Sequence, residues 1–218
     1  MYEEFAVKKY FNHQIKKAII VQSLLTIESL DISTNFSYPK EIHDFFEFAY
    51  IDNGNILCNL EDQQIKLEQG DFFLIPPQKR HFYETLKTHS ASIFIVCFRC
   101  NSDILSILDK KISLPKDAKS LIADIVREAK NAFLFPFNKK LKLIEKPSFG
   151  AQQLVETDIE KLLIYLIRRE MSENDNIKFV MDSVELENNL VNDLITILKN
   201  NLYTRASYVR CIKVSKSV

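Results

Sequence analysis

The chain has 218 residues and a mass of 25.4 kDa, which is enough for one large domain or two small ones. Apolar residues make up 46% of the sequence and charged residues 27%, a balance typical of an ordered globular protein. Its 29 basic and 29 acidic residues give a formal net charge of zero. A dedicated nucleic-acid binder normally carries a basic excess, so this balance disfavours direct DNA binding by the chain. The sequence has neither an apolar run of membrane-spanning length nor a secretory signal, so we expect a cytoplasmic protein with no membrane partner.

Short runs rich in Phe, Ile, Tyr and Thr fill the first hundred residues and predict closely spaced β-strands. This pattern favours an all-β sandwich or barrel. The segment Asp52-Asn53-Gly54-Asn55 separates two of the runs and predicts a hairpin turn, because Asn and Gly tolerate the positive φ that tight turns need. The predicted strands cover residues 15–21, 24–32, 43–52, 55–60, 63–67, 71–75, 81–86 and 91–98.

The apolar period becomes helical after residue 100, which predicts an α+β protein overall. A first helix follows Asp117, the expected N-cap, and a third lies within residues 186–198. The second helix has an apolar stripe flanked by charged residues, and we expect this stripe to pair with a second copy in a twofold dimer. Burial within the same chain is the alternative. The stripe consists of Val155, Ile159, Leu162 and Leu166.

The residues that carry chemistry lie between positions 41 and 85. A strand beginning at His43 would place His43, Phe45 and Glu47 on one face, with Glu41 in the same parity. His81 and Tyr83 would meet them across a small barrel. Two imidazoles and a carboxylate in an apolar cavity can hold a metal ion, or can bind a polar ligand through hydrogen bonds.

Residues 41–54 and 70–85 resemble the paired motifs of the cupin superfamily, G-x5-H-x-H-x3-E-x6-G and G-x5-P-x-G-x2-H-x3-N. This resemblance implies a jelly-roll barrel. Three of the four metal-ligand positions keep their residue type, so the alternative to an organic ligand is a metal held by Glu41, His43, Glu47 and His81. The matching residues are His43, Glu47, Gly54, Gly70, Pro76 and His81, and the departures are Tyr38, Glu41, Gln78 and Thr85.

A cupin barrel followed by amphipathic helices resembles the AraC family of transcriptional regulators. Residues 160–169 are similar to the linker helix of that family, and residues 186–203 to the first helix of its DNA-binding domain. The resemblance implies an effector-binding barrel at 1–100, a helical linker and dimerisation region at 101–172, a truncated helix-turn-helix domain at 186–203 and a tail at 204–218.

The function implied is to sense a small-molecule effector in the barrel of a homodimer, without enzymatic activity and without a required cofactor. DNA would be contacted only through a C-terminal domain of which the chain has the start. The alternative function is that of a metal-dependent cupin enzyme, a dioxygenase or an isomerase. The expected effector-binding residues are His43, Phe45, Glu47, Phe73, His81 and Tyr83.

Overall fold

The computed structural model describes residues 11–85, 90–137 and 139–173, and every structural statement below refers to them. The chain divides into two compact units, Met1–Glu170 and Met171–Val218. The predicted third helix, the helix-turn-helix segment and the tail lie outside the described residues.

Seven antiparallel strands in the described ranges form the barrel. The main path of the sheet runs β1-β6-β2-β4-β7, and β3 and β5 both pair with the second half of β2. This confirms the predicted jelly roll followed by helices. The strands are β1 (Val21–Ile32), β2 (Phe46–Leu60), β3 (Gln63–Glu68), β4 (Asp71–Ile75), β5 (His81–Thr85), β6 (Ala91–Cys100) and β7 (Ile112–Ser113).

Strand β2 runs without interruption through the segment predicted as a hairpin turn, so that prediction is wrong. Its first half pairs with β4 and β6, and its second half pairs with β3 and β5. The register shifts between Ile51 and Asn53, and Gly54 has φ +76°. A Cβ atom at Gly54 would stand 2.2 Å from the backbone oxygen of Ser90. The Asn-Gly pair therefore serves a bulge at which one strand passes between the two halves of the barrel.

The described residues contain two α-helices, α1 (Lys116–Ala132) and α2 (Ala151–Glu173). Pro115 holds the N-cap position of α1 with an extended backbone, and Asp117 lies in the first turn. The prediction of Asp117 as N-cap is therefore wrong by two residues, because proline ends the preceding extended segment with φ already suited to the helix. Neither helix is both long and apolar enough to cross a membrane.

The apolar stripe of α2 faces the interior of its own chain. Val155 is 1% exposed, and Ile159, Leu162 and Leu166 are fully buried. The helix is tied to the barrel by the Val21 amide, which donates to Glu160 at 3.0 Å, and by Arg169, which donates to the carbonyl of Ser113 at 3.1 Å. The prediction that this stripe forms a dimer interface is therefore wrong, because the fold of the same chain buries it.

Candidate functional site

Four segments of the barrel bring polar side chains into its apolar interior. Glu47 lies on β2 opposite Ile75 of β4 and Cys97 of β6, and its side chain points inward. Tyr83 lies on β5 opposite Cys58 of β2. These residues pack among a continuous set of buried aliphatic and aromatic side chains. Alternation along the strands thus delivers a carboxylate and a phenol to the centre of the barrel.

The two histidines reach the same point from outside regular strands or from a strand end. His43 precedes β2, which begins only at Phe46, so the predicted strand start at residue 43 is wrong. Its backbone carbonyl accepts a hydrogen bond from the Gln78 amide at 2.7 Å. Gln78 has φ +64° at the position where the cupin motif has Gly, so the chain keeps the bend without the glycine. His81 starts β5 and forms a backbone bridge with Glu41.

Glu47 is the centre of the site, and it is 4% exposed. The Tyr83 hydroxyl donates to its Oε1 at 2.7 Å, and the Cys97 thiol donates to its Oε2 at 3.4 Å. The Nε2 atom of His43 lies 3.4 Å from Oε2, and the Nε2 atom of His81 lies 3.6 Å from Oε1. One buried carboxylate is therefore surrounded by four potential donors.

These contacts decide the charges at the centre. Burial alone would raise the pKa of Glu47, but His43, His81 and Tyr83 outweigh it and lower that pKa to about 2. Burial likewise disfavours the His81 cation, yet the adjacent Glu47 raises the pKa of His81 above its ordinary value. The pKa of the Tyr83 hydroxyl is raised by burial and by Glu47. The carboxylate is therefore charged, and the phenol is neutral and acts as a donor.

The imidazole orientations suit a metal ion as well as an ion pair. Nδ1 of His43 lies 2.9 Å from the carbonyl oxygen of Phe45, and Nδ1 of His81 lies 3.0 Å from that of Lys79. Nδ1 donation to a carbonyl leaves Nε2 to face Glu47. Within the described part of the chain, His43 Nε2 is buried and has no hydrogen-bond partner. Ligand atoms of His43, Glu47 and His81 lie within 4.8 Å of one another, a two-histidine, one-carboxylate set that fits a divalent transition metal.

A cavity of about 310 Å³ lies beside this centre at the mouth of the barrel. Of the predicted effector-binding residues, Phe45, Glu47, His81 and Tyr83 line it. His43 lies against Glu47, and its ring stacks on Phe45 with 3.9 Å between the centroids. The cavity therefore combines apolar walls with the polar centre, and its volume is at the lower end for a small-molecule site.

Two predicted site residues take other places. Phe73 does point into the barrel, but it pairs with Ala49, two residues beyond Glu47, and is 1% exposed in the core below the cavity. Glu41 lines the cavity, yet its Oε1 binds Lys139 Nζ at 3.0 Å and it is not part of the metal-capable group. Its prediction as a metal ligand is wrong, because a nearby ammonium group binds the carboxylate.

Nine residues of the cavity wall are not among those predicted from the sequence, and Glu28, Tyr38 and Lys139 are the three of them that form a polar group. Glu28 of β1 accepts a hydrogen bond from the Tyr38 hydroxyl at 3.1 Å, and Lys139 lies 5.0 Å from the centroid of the Tyr38 ring. Inward parity along β1 could have indicated Glu28. Lys139 belongs to the segment between α1 and α2, where the sequence carries no periodic signal.

The strand order and the histidine–carboxylate centre define a cupin-type barrel with a cavity beside the centre. Residues 30–119 match the family model of the AraC-like ligand binding domain. The comparison with curated proteins gives no match.

Solved structures similar to the chain include one described as a cupin, one described without a function and one described as an enzyme. An RmlC-like cupin family protein with a double-stranded β-helix fold from Methanocaldococcus jannaschii is 18% identical, with a TM-score of 0.33 over 44% of this chain and 94% of that one. A Bacillus halodurans protein is 16% identical, with a TM-score of 0.33 over 35% and 63% of the two chains. A "predicted oxalate decarboxylase" from Thermotoga maritima is 16% identical, with a TM-score of 0.32 over 34% and 64%. The chain spans just under two thirds of the length of the latter two.

Proposed function

We propose that the barrel binds a small effector in its 310 Å³ cavity and that the chain is the effector-sensing region of an AraC-type transcriptional regulator. The match of residues 30–119 to the AraC-like ligand binding domain supports this proposal. The observation that carries it is the cavity itself, in which the buried Glu47 centre adjoins apolar walls such as Phe45 and Ile95. Such a site holds a small molecule by apolar contact and orients it by a few hydrogen bonds.

The effector would act by its difference in affinity between two arrangements of the chain. A ligand in the cavity touches residues from β1, β2, β5 and β6 together with Lys139 of the connection after α1. It therefore stabilises the arrangement in which these segments approach one another. In a homodimer that carries DNA-binding domains, this change would alter how those domains meet their half-sites.

The alternative is a metal-dependent cupin enzyme, and one specific observation favours it. His43, Glu47 and His81 form a metal-capable group, and the buried His43 Nε2 accepts or donates no hydrogen bond among the described residues. A bound metal would supply a Lewis acid beside the cavity. The residues of the chain would hold that metal through two imidazoles whose Nδ1 atoms are fixed by backbone carbonyls.

Native mass spectrometry of the purified full chain separates the two functions. The regulator predicts an organic adduct, one per chain, that is lost in Phe45→Ala, which opens the cavity wall. Phe46→Ala is the matched control, because Phe46 stacks on Phe98 outside the cavity with 5.8 Å between centroids. A metal-sized increment that disappears on chelation, with no organic adduct, would contradict the regulator and support the enzyme.

A further inference from the structure

Lys139 reaches the barrel mouth from the segment between α1 and α2. Its ammonium nitrogen lies 3.0 Å from Oε1 of Glu41, which is 98 residues away in sequence. The same nitrogen lies 5.0 Å from the centroid of the Tyr38 ring. The carboxylate and the aromatic ring together make a recognition site for an ammonium ion, and in the described structure a side chain of the protein fills it.

Most of the charged side chains that line the cavity are acidic. Glu28, Glu41 and Glu47 line it, and Lys139 is the one Lys or Arg among the described lining residues. Glu47 faces His43, His81 and the Tyr83 hydroxyl. Lys139 supplies the ammonium group that pairs with Glu41, and its charge also acts on Glu28.

Lys139 also influences the pKa values of Glu28 and Tyr38. Burial raises the pKa of Glu28, and the hydrogen bond from Tyr38 and the charge of Lys139 act against it. Burial and Glu28 raise the pKa of Tyr38 to about 12, so its hydroxyl stays neutral. If Lys139 left without replacement, half-buried carboxylates would lose their counter-ion, which is costly.

A molecule that enters the cavity has to satisfy the same charges. An anion would face two carboxylates, and a neutral molecule that displaced Lys139 would leave them unpaired. An ammonium group would keep the contacts to Glu41 and to the Tyr38 ring. The Lys139 side chain is 61% exposed, so its displacement returns a flexible cation to water at small cost.

The cavity is also lined by apolar side chains, among them Leu25, Phe45 and Ile95. We propose that the effector is a small organic amine, with one ammonium group on an apolar body, and that Lys139 occupies the ammonium subsite until the effector displaces it. This inference rests on the proposed effector-binding function and names the class of ligand.

Three probes with the same apolar body test the ligand class: n-pentylammonium, pentanol and pentanoate. Each is titrated by calorimetry into the full chain with chelator present, so that metal cannot contribute. We expect saturable binding of n-pentylammonium only. Lys139→Met removes the competing ammonium group and should tighten that binding about tenfold, whereas Glu41→Gln should weaken it about tenfold, each about 1.4 kcal/mol.

Lys140→Met is the matched control, because this neighbouring exposed lysine does not line the cavity, and its affinity for n-pentylammonium should equal that of the wild type. Binding of pentanoate that Lys139→Met weakens would overturn the amine inference and make Lys139 an anion-binding group. Failure of all three probes would also overturn it. Native mass spectrometry then distinguishes failure of the amine inference from failure of the proposed function. An organic adduct that is not an amine would overturn the amine inference but would still support effector binding.

Discussion

Replacing Tyr83 by Phe tests whether Glu47 is a charged carboxylate at the centre of the barrel. Tyr83 is 2% exposed, and its hydroxyl donates to Glu47 at 2.7 Å. The burial of Glu47 is outweighed by its donors, so its pKa is about 2 and the carboxylate is charged at neutral pH. Phe keeps the ring and removes one donor. Because a hydrogen bond to a charged group contributes about 1.5–3 kcal/mol, we expect the free energy of unfolding to fall by that amount.

The loss can be measured by urea denaturation and by thermal melting. For a chain of this length each kcal/mol lowers the melting temperature by about 2–4 °C, so a fall of about 3–12 °C is expected. A carboxyl group with a lowered pKa stabilises the fold above its ordinary pKa of 4.5, and this stabilisation is lost as the pH falls toward 2. The difference between variant and wild type should therefore narrow in acid.

Tyr50→Phe is the matched control. Tyr50 is also buried on a barrel strand, at 8% exposure, but its hydroxyl makes no hydrogen bond among the described residues. Its replacement should change stability by less than about 0.5 kcal/mol. Equal losses in the two variants, or a Tyr83→Phe loss below that limit, would refute the view that Glu47 needs this donor.

Three further substitutions test other parts of the structure. His81→Ala should weaken zinc binding, measured by chelator competition, at least about tenfold, and an equal effect of exposed His13→Ala would contradict the metal-capable group. Glu28→Gln should have a higher melting temperature than the wild type at pH 7 but not below pH 4.5. A carboxyl group whose pKa is raised by burial lowers stability only when it is ionised. A difference in melting temperature that does not change with pH would contradict this expectation. Gly54→Ala should lower the free energy of unfolding, measured by urea denaturation, by at least about 3 kcal/mol, because strain at φ +76° adds to the 2.2 Å approach of the new Cβ to a backbone oxygen. Gly150→Ala, at φ +73° with no described atom within 4 Å of the new Cβ, should lower it by about 1–2 kcal/mol. Similar losses in the two variants would contradict the importance of the close approach at Gly54.

The sequence predicted most strands of the barrel because alternation and turn residues are local signals. The range predicted for β4, 71–75, agrees with the structure, and β3 and β5 begin at the predicted residues. The prediction of a hairpin turn at Gly54 is wrong because a positive φ suits a bulge within one long strand as well as a tight turn. Only the pairing of β2 with four other strands distinguishes the two, and that pairing is not a local property.

The centre of the site was predicted for a related reason. Fixed motif spacing indicated His43, Glu47 and His81, although His43 lies before β2 and not on the predicted strand. Residues fixed by packing were harder to place. The depth of Phe73 in the barrel and the burial of the α2 stripe depend on which elements cover them, and helical period alone does not tell an inner face from a face that pairs with another molecule.

The departure of the sequence from the cupin motif at Glu41 and the unpredicted position of Lys139 are two parts of one feature. Glu41 forms a backbone bridge with His81, so it stands beside the metal-capable group, where the motif has a neutral imidazole. A carboxylate at that position adds a second negative charge beside Glu47, and a nearby cation stabilises it. Lys139 provides one at 3.0 Å. The same substitution that removes a ligand from the metal-capable group thus creates a site for an ammonium ion at the mouth of the cavity, which is why we place the recognition of the effector there and not at Glu47.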